Sequence, residues 1–180
     1  MHRLFRDRWS PRSFSDRPVK DEDLKTILEA ARWAASSYNE QPWRFVVARK
    51  SDGPLYGKLL SILVPFNQAW AKTAPVLVIT AAKRLFSHNG TLNLHAQHDA
   101  GAALAHILLQ ATDLGLHAHA MAGIDRAKAR QELAIPEDYE PVGAVAIGYL
   151  GTVEQPSATR ERKALSEIAF NGHWGVPLEL

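Results

Sequence analysis

The chain of 180 residues contains no cysteine. That absence excludes disulfides, thiolate zinc sites, iron–sulfur clusters and redox-active thiols, so electron chemistry would have to come from a bound cofactor. Charge of one sign is also scarce. The 21 Lys and Arg stand against 19 Asp and Glu, a formal net charge of +2. Without a long basic run, nothing points to nucleic acid. No apolar run approaches the ~20 residues of a membrane-spanning helix. The first residues, MHRLFRDRWS, lack the apolar stretch of a signal peptide. The expectation is a cytoplasmic protein with neither a membrane nor a nucleic-acid partner. Hydrophobic content of 46% and charged content of 22% are present in a single unbroken chain. Those values are ordinary for a globular domain, and the length allows one domain over residues 1–180 with a sizeable core. Repeats, low-complexity segments and linkers are absent from the sequence.

What is present alternates between two periods. Leu24, Ile27, Leu28, Ala31 and Ala35 recur at helical spacing behind Asp21, Glu22 and Asp23, acids that favour a helix N-terminus. Arg44 to Ala48 reads as a strand, and Asp52-Gly53-Pro54 is turn chemistry. A helix follows over Leu55 to Val64, and then Phe66 and Trp70 stand one helical turn apart. Pro75 opens a second strand, Val76 to Ala81, whose continuous apolarity implies cover on both faces. Thr91 to Leu114 is the longest predicted helix, apolar nearly all round and closed by Gly115. A third strand spans Leu116 to Ala120, Asp125 caps a helix running to Leu133, and the last strand spans Val142 to Tyr149. Strands alternating with helices indicate a layered α/β domain.

The stretch Ser36 to Phe45 reads SSYNEQPWRF. Pro42 biases Gln41 away from helical dihedrals, so the preceding helix must end before it. Ser36, Ser37, Asn39 and Gln41 then sit on a fixed turn that can offer hydrogen bonds to a planar polar ligand. Its plainer reading is a polar loop. Upstream, Arg8, Ser10 and Arg12 alternate along a segment stiffened by Pro11. Residues two apart in an extended segment point the same way, and two guanidiniums with a hydroxyl suit a phosphate and a polar ring edge. The plainer reading there is a solvated basic turn. His95, His98 and Asp99, with His117 and His119 further on, are metal-ligand types. No further ligand stands at convincing spacing, so no metal is expected.

Arg8-Trp9-Ser10-Pro11-Arg12-Ser13-Phe14, the SSYNEQPWRF stretch and Arg160-Glu161-Arg162-Lys163 follow one another in this order. Together they resemble the nitroreductase family of flavin mononucleotide (FMN) enzymes. That family opens with a basic-x-Ser-x-basic motif, carries a small-residue, Asn, Gln-Pro-Trp turn, and closes with a basic pair. The resemblance runs from about Leu4 to Trp174. It implies a three-layer α/β (α+β) fold, a mixed and mainly antiparallel sheet wrapped by helices. It also implies an obligate homodimer with two flavin sites at the interface.

For the cofactor, the resemblance implies that Arg8, Ser10, Arg160 and Arg162 meet the FMN phosphate, with Trp9 in the same segment. Arg12 would point at the flavin N1 and O2, and Asn39, flanked by Ser37 and Gln41, at the pyrimidine-like edge. A backbone N–H of Ala122 or Gly123 would lie beside N5. Many relatives carry Pro and Glu where this chain has Ala120 and Ala122, so a backbone role survives and a glutamate side-chain role is lost. The implied activity is ping-pong hydride transfer from NAD(P)H, through FMN, to a nitroaromatic, a quinone or a similar small electrophile. It needs no catalytic side chain. Two other classes remain open: a flavin-storage module without turnover, and a metal protein built on the histidines.

Overall fold

The computed structural model describes residues 1–151 and 160–178. The expected loop around Pro156 lies outside those residues. The apolar runs form four strands: β1 (Trp43–Arg49), β2 (Val76–Lys83), β3 (His117–Met121) and β4 (Tyr139–Gly148). They make one sheet in the order β1-β2-β4-β3, with each neighbouring pair antiparallel. Among the described residues no parallel pair occurs, so the sheet is antiparallel rather than mixed.

Period-2 alternation sends the two halves of β2 into different cores. Val76 and Val78 pack with Val145 and Ile147 under α2 (Asp21–Arg32) and α5 (Ala96–Asp113). Leu77 and Ile79 pack with Ala144 and Ala146 under α3 (Pro54–Ile62), α4 (Pro65–Ala71) and α6 (Arg126–Glu132). Helices on both faces of one sheet make three layers, as the sequence implied. The one-turn α1 (Leu4–Asp7) precedes them; its Leu4 is half-buried, but Phe5 is exposed rather than packed inward.

Local chemistry explains most boundaries. Pro54 sits at the first position of α3, where its missing N–H costs nothing. Asp125 caps α6 as expected, accepting the Lys128 N–H at 2.9 Å. Helix α5 begins at Ala96 and not at Thr91. The Asn93 side chain bonds the His95 N–H at 3.0 Å and turns the chain there, leaving Leu94 exposed. The buried face of α5 is Ala96, Ala100, Ala103, Ile107 and Ala111, while Gly101 and Ala105 face out. Its all-round apolarity therefore exceeds what one chain covers. Gly115, at φ +73°, ends the helix. Where β4 passes the end of β3, a Cβ on Gly143 would meet the Met121 carbonyl oxygen at 2.6 Å, so that approach requires glycine.

Candidate functional site

The Ser36–Gln41 turn leads into edge strand β1. Tyr38, Asn39 and Gln41 have φ of +52°, +54° and +51°. Pro42 does keep Gln41 out of the helical region, but into left-handed rather than extended backbone. Side-chain-bearing residues pay about 1–2 kcal/mol each for that region, Asn least. Such strain persists only where neighbours over-determine it. Here the Ser36 hydroxyl accepts the Gln41 N–H at 2.9 Å and the Asp99 carboxylate accepts the Ser37 N–H at 2.9 Å. Glu40 accepts the Ser87 N–H and hydroxyl at 2.9 and 2.6 Å, with Lys83 at 3.6 Å. Burial raises the Glu40 pKa, but the Ser87 bonds and the Lys83 charge outweigh it and hold the group below its ordinary value. The Gln41 amide turns back to the Asn39 carbonyl at 3.0 Å. The Asn39 side-chain amide makes no hydrogen bond within the chain among the described residues and is the open donor–acceptor group of the turn.

The basic segment lies at the opposite edge, against β3. Arg8 donates to the Ser10 hydroxyl at 3.3 Å, so these two share a side as their alternation predicts. Arg160 donates to the Arg6 and Arg8 carbonyls and pins the closing segment there. Burial, followed by the charges of Arg160 and Arg162, lowers the Arg8 pKa. Among the described residues no acid forms an ion pair with any of these three arginines. Among the described residues, the cluster is positive charge gathered without a paired acid. Arg12 diverges from it, its guanidinium carbon 5.2 Å from the centroid of the Phe66 ring on α4.

Two histidines of β3 seat this segment. Trp9 meets His117 edge-on at 5.5 Å, and His119 Nδ1 lies 2.8 Å from the Pro11 carbonyl. Trp70 stacks on His119 at 4.4 Å. Burial lowers the His117 pKa, and its Nδ1 and the Trp70 indole N–H are buried without partners.

At the far end of β3 the chain turns through Ala122 and Gly123. The Gly123 carbonyl accepts the Val64 N–H and the Asn67 side-chain amide, both at 3.1 Å. A Cβ on Gly123 would stand 2.7 Å from Asn67 Nδ2 and 2.8 Å from Val64 Cγ2. The N–H groups of Ala122 and Gly123 have no partner among the described residues. Both are available to a ligand.

The predicted site residues thus fall into two groups within one chain. Arg8, Trp9, Ser10, Arg160 and Arg162 come together; α4 joins Arg12 to Ala122 and Gly123. Ser37, Asn39 and Gln41 stand at the other sheet edge, three strand spacings or about 14 Å away. Sequence reasoning missed Asn67, whose signal was the amide pair Asn67-Gln68 between Phe66 and Trp70. It also missed Glu40 and His119 as anchors. Asp99, weighed as a metal ligand, instead bonds Ser37 and faces His98 Nδ1 at 3.0 Å. Among the described residues no group of three or more metal-ligating side chains exists, and no helix is long and apolar enough to cross a membrane.

The family model for the Nitroreductase family matches residues 5–56 and 54–149. A protein of Archaeoglobus fulgidus, provisionally named NADH dehydrogenase/NAD(P)H nitroreductase, is 35% identical over 147 residues, 79% of this chain and 80% of that one. A solved oxidoreductase containing FMN superposes with a TM-score of 0.89 at 36% identity, over 98% of this chain and 93% of its own. A provisionally named nitroreductase from Desulfovibrio desulfuricans, solved in complex with FMN, gives a TM-score of 0.76 at 27% identity, over 96% of each chain. On these matches and on its fold, the chain belongs to the nitroreductase family.

Proposed function

We propose that this protein is an FMN-dependent oxidoreductase that takes hydride from NAD(P)H and delivers it to a small electrophile such as a nitroaromatic or quinone. The carrying observation is the arginine cluster. Arg8, Arg160 and Arg162 hold positive charge together, paired with no acid among the described residues, and a phosphate of nearly two negative charges suits that cluster. Ser10 adds a hydroxyl to that grip, and Trp9 walls it.

The other residues fit the remaining demands of the cofactor. The unpartnered N–H groups of Ala122 and Gly123 can donate to N5, Arg12 can face the N1 and O2 edge, and the open Asn39 amide offers both a donor and an acceptor. Ser37 and Gln41 frame that amide. When bound, FMN supplies reversible two-electron chemistry, which no side chain of a cysteine-free protein provides. The chain's own residues bind and orient it, and Arg12 places a fixed positive charge where negative charge develops on reduction. No glycine-rich dinucleotide fingerprint occurs in the sequence, in keeping with NAD(P)H and acceptor visiting in turn, a ping-pong order.

The reading includes a cytoplasmic homodimer of single-domain subunits over residues 1–180, with no nucleic-acid or membrane partner. Its support is that the Asn39 turn and the arginine cluster lie at opposite edges of one sheet, so the turn of a second subunit can complete the site. Exposed Trp33, Leu94 and Trp174, at 73%, 81% and 92%, give such a subunit apolar surface to cover.

The test is spectroscopic. Reconstituted protein should show oxidised-flavin absorption bands that bleach with NAD(P)H and return when a quinone is added. Absence of the bands refutes FMN binding. Bands that never bleach leave the storage-module reading.

A further inference from the structure

We propose that Asp99 is a positioning residue that holds the Ser36–Gln41 turn, and with it the Asn39 amide, in its ligand-facing geometry. The inference rests on the reading of that turn as part of the FMN site. Asp99 lies in the first turn of α5 and is only 3% exposed. One carboxylate oxygen accepts the Ser37 N–H at 2.9 Å, across 62 residues of sequence; the other faces His98 Nδ1 at 3.0 Å. The His98 ring is itself largely exposed.

Three features make this bond more than packing. It is the only hydrogen bond from the turn to α5 among the described residues. The turn carries three residues at left-handed φ, none of them glycine, and these relax unless the backbone is pinned. A carboxylate is also an expensive group to bury, and a fold that needed only volume there would use an apolar residue. Asp99 touches neither cofactor nor substrate in this scheme; it acts through Ser37.

The experiment compares wild type, Asp99→Asn and Asp99→Ala, each reconstituted with FMN. Asn keeps an acceptor of the same shape but loses the charge, while Ala removes the acceptor. Asp99→Ala should raise the FMN Kd by about two- to tenfold, no more than Asn39→Ala does, and Asp99→Asn should recover most of that loss. The visible circular dichroism of bound flavin should change in the same order. In flavin-free protein, amide exchange at Ser37 should speed up in Asp99→Ala while exchange in β2 stays slow. A folded Asp99→Ala protein with wild-type Kd, flavin dichroism and Ser37 exchange overturns the proposal, even if its Tm falls. Should wild type bind no FMN, the functional reading fails by itself. The Ser37 exchange rate then decides the role of Asp99: faster exchange in Asp99→Ala upholds it, and unchanged exchange overturns it.

Discussion

Arg12 places its guanidinium carbon 5.2 Å from the centre of the Phe66 ring. The contact ties Arg12 to α4, whereas Arg8 bonds Ser10 and receives the charges of Arg160 and Arg162. In the proposed reading, the two arginines of one short motif take different tasks: charge for a phosphate, and charge for a ring.

Arg12→Gln should therefore change a potential and not an affinity. Two unit charges about 4 Å apart attract by ~4 kcal/mol at an effective dielectric of 20. Solvent at a partly open site leaves about 1.5–2 kcal/mol of that. With ~30 mV equal to about 1.4 kcal/mol for a two-electron couple, the midpoint potential should fall by roughly 30–45 mV. Potentiometric titration checks this; a change confined to the FMN Kd would move Arg12 to the phosphate.

Arg162→Ala should fold and purify largely colourless. Losing one charge-assisted contact costs about 1.5–3 kcal/mol, or roughly ten- to a hundredfold in Kd. Because the proposed grip on the phosphate is electrostatic, wild-type affinity should fall as salt rises, and the variant should show a shallower slope. Fluorescence titration at two ionic strengths measures both.

Gly123→Ala should disable turnover more than binding. The new methyl would lie 2.7 Å from Asn67 Nδ2 and 2.8 Å from Val64 Cγ2, so the turn must shift. Such overpacking costs about 1–3 kcal/mol of stability. Asn39→Ala should likewise lower turnover while weakening FMN less than Arg162→Ala does. Steady-state NAD(P)H oxidation set against FMN titration separates these effects.

Acid should destabilise the fold through His117. Its pKa is lowered by burial, so the folded state keeps the ring neutral while the unfolded chain takes up a proton. The contribution is intact above the unfolded value of about 6.5 and is lost as pH falls below it towards the folded value. His117→Phe should flatten the fall in Tm between about pH 7 and pH 5. An unchanged profile would assign the acid sensitivity to another group.

Much of this was legible in the chain. The β2 run announced its double burial, Asp125 its cap, and Arg8 and Ser10 their shared side. The resemblance named the segments that the fold ties to the ends and edges of one sheet. What stayed hidden was non-local. Nothing near Asp99 says that Ser37, 62 residues away, consumes one of its oxygens. Gln41 was read for what Pro42 forbids, and the left-handed solution depends on Ser36. Leu94 fits the helical period of α5, but Asn93 bonds the His95 N–H and diverts the backbone before the helix begins. The alternation put Arg12 on the side of Arg8 and Ser10, but its contact with Phe66 depends on α4, more than fifty residues on.

The strand order also bears on how the chain is made. Among the described residues β3 pairs only with β4, and β4, the last of the four strands, sits between β2 and β3. A ribosome that has released the first 138 residues has delivered a β1–β2 pair and an orphaned β3, with no ladder between them. The sheet closes from its middle, when Val76 finds Ile147 and Ala118 finds the same residue from the other side. Pairings at such sequence separation form slowly. The nascent protein therefore carries an unpaired β2 edge from Lys83 until β4 is made, and translation pauses or truncations before the last strand would leave that edge open to other chains.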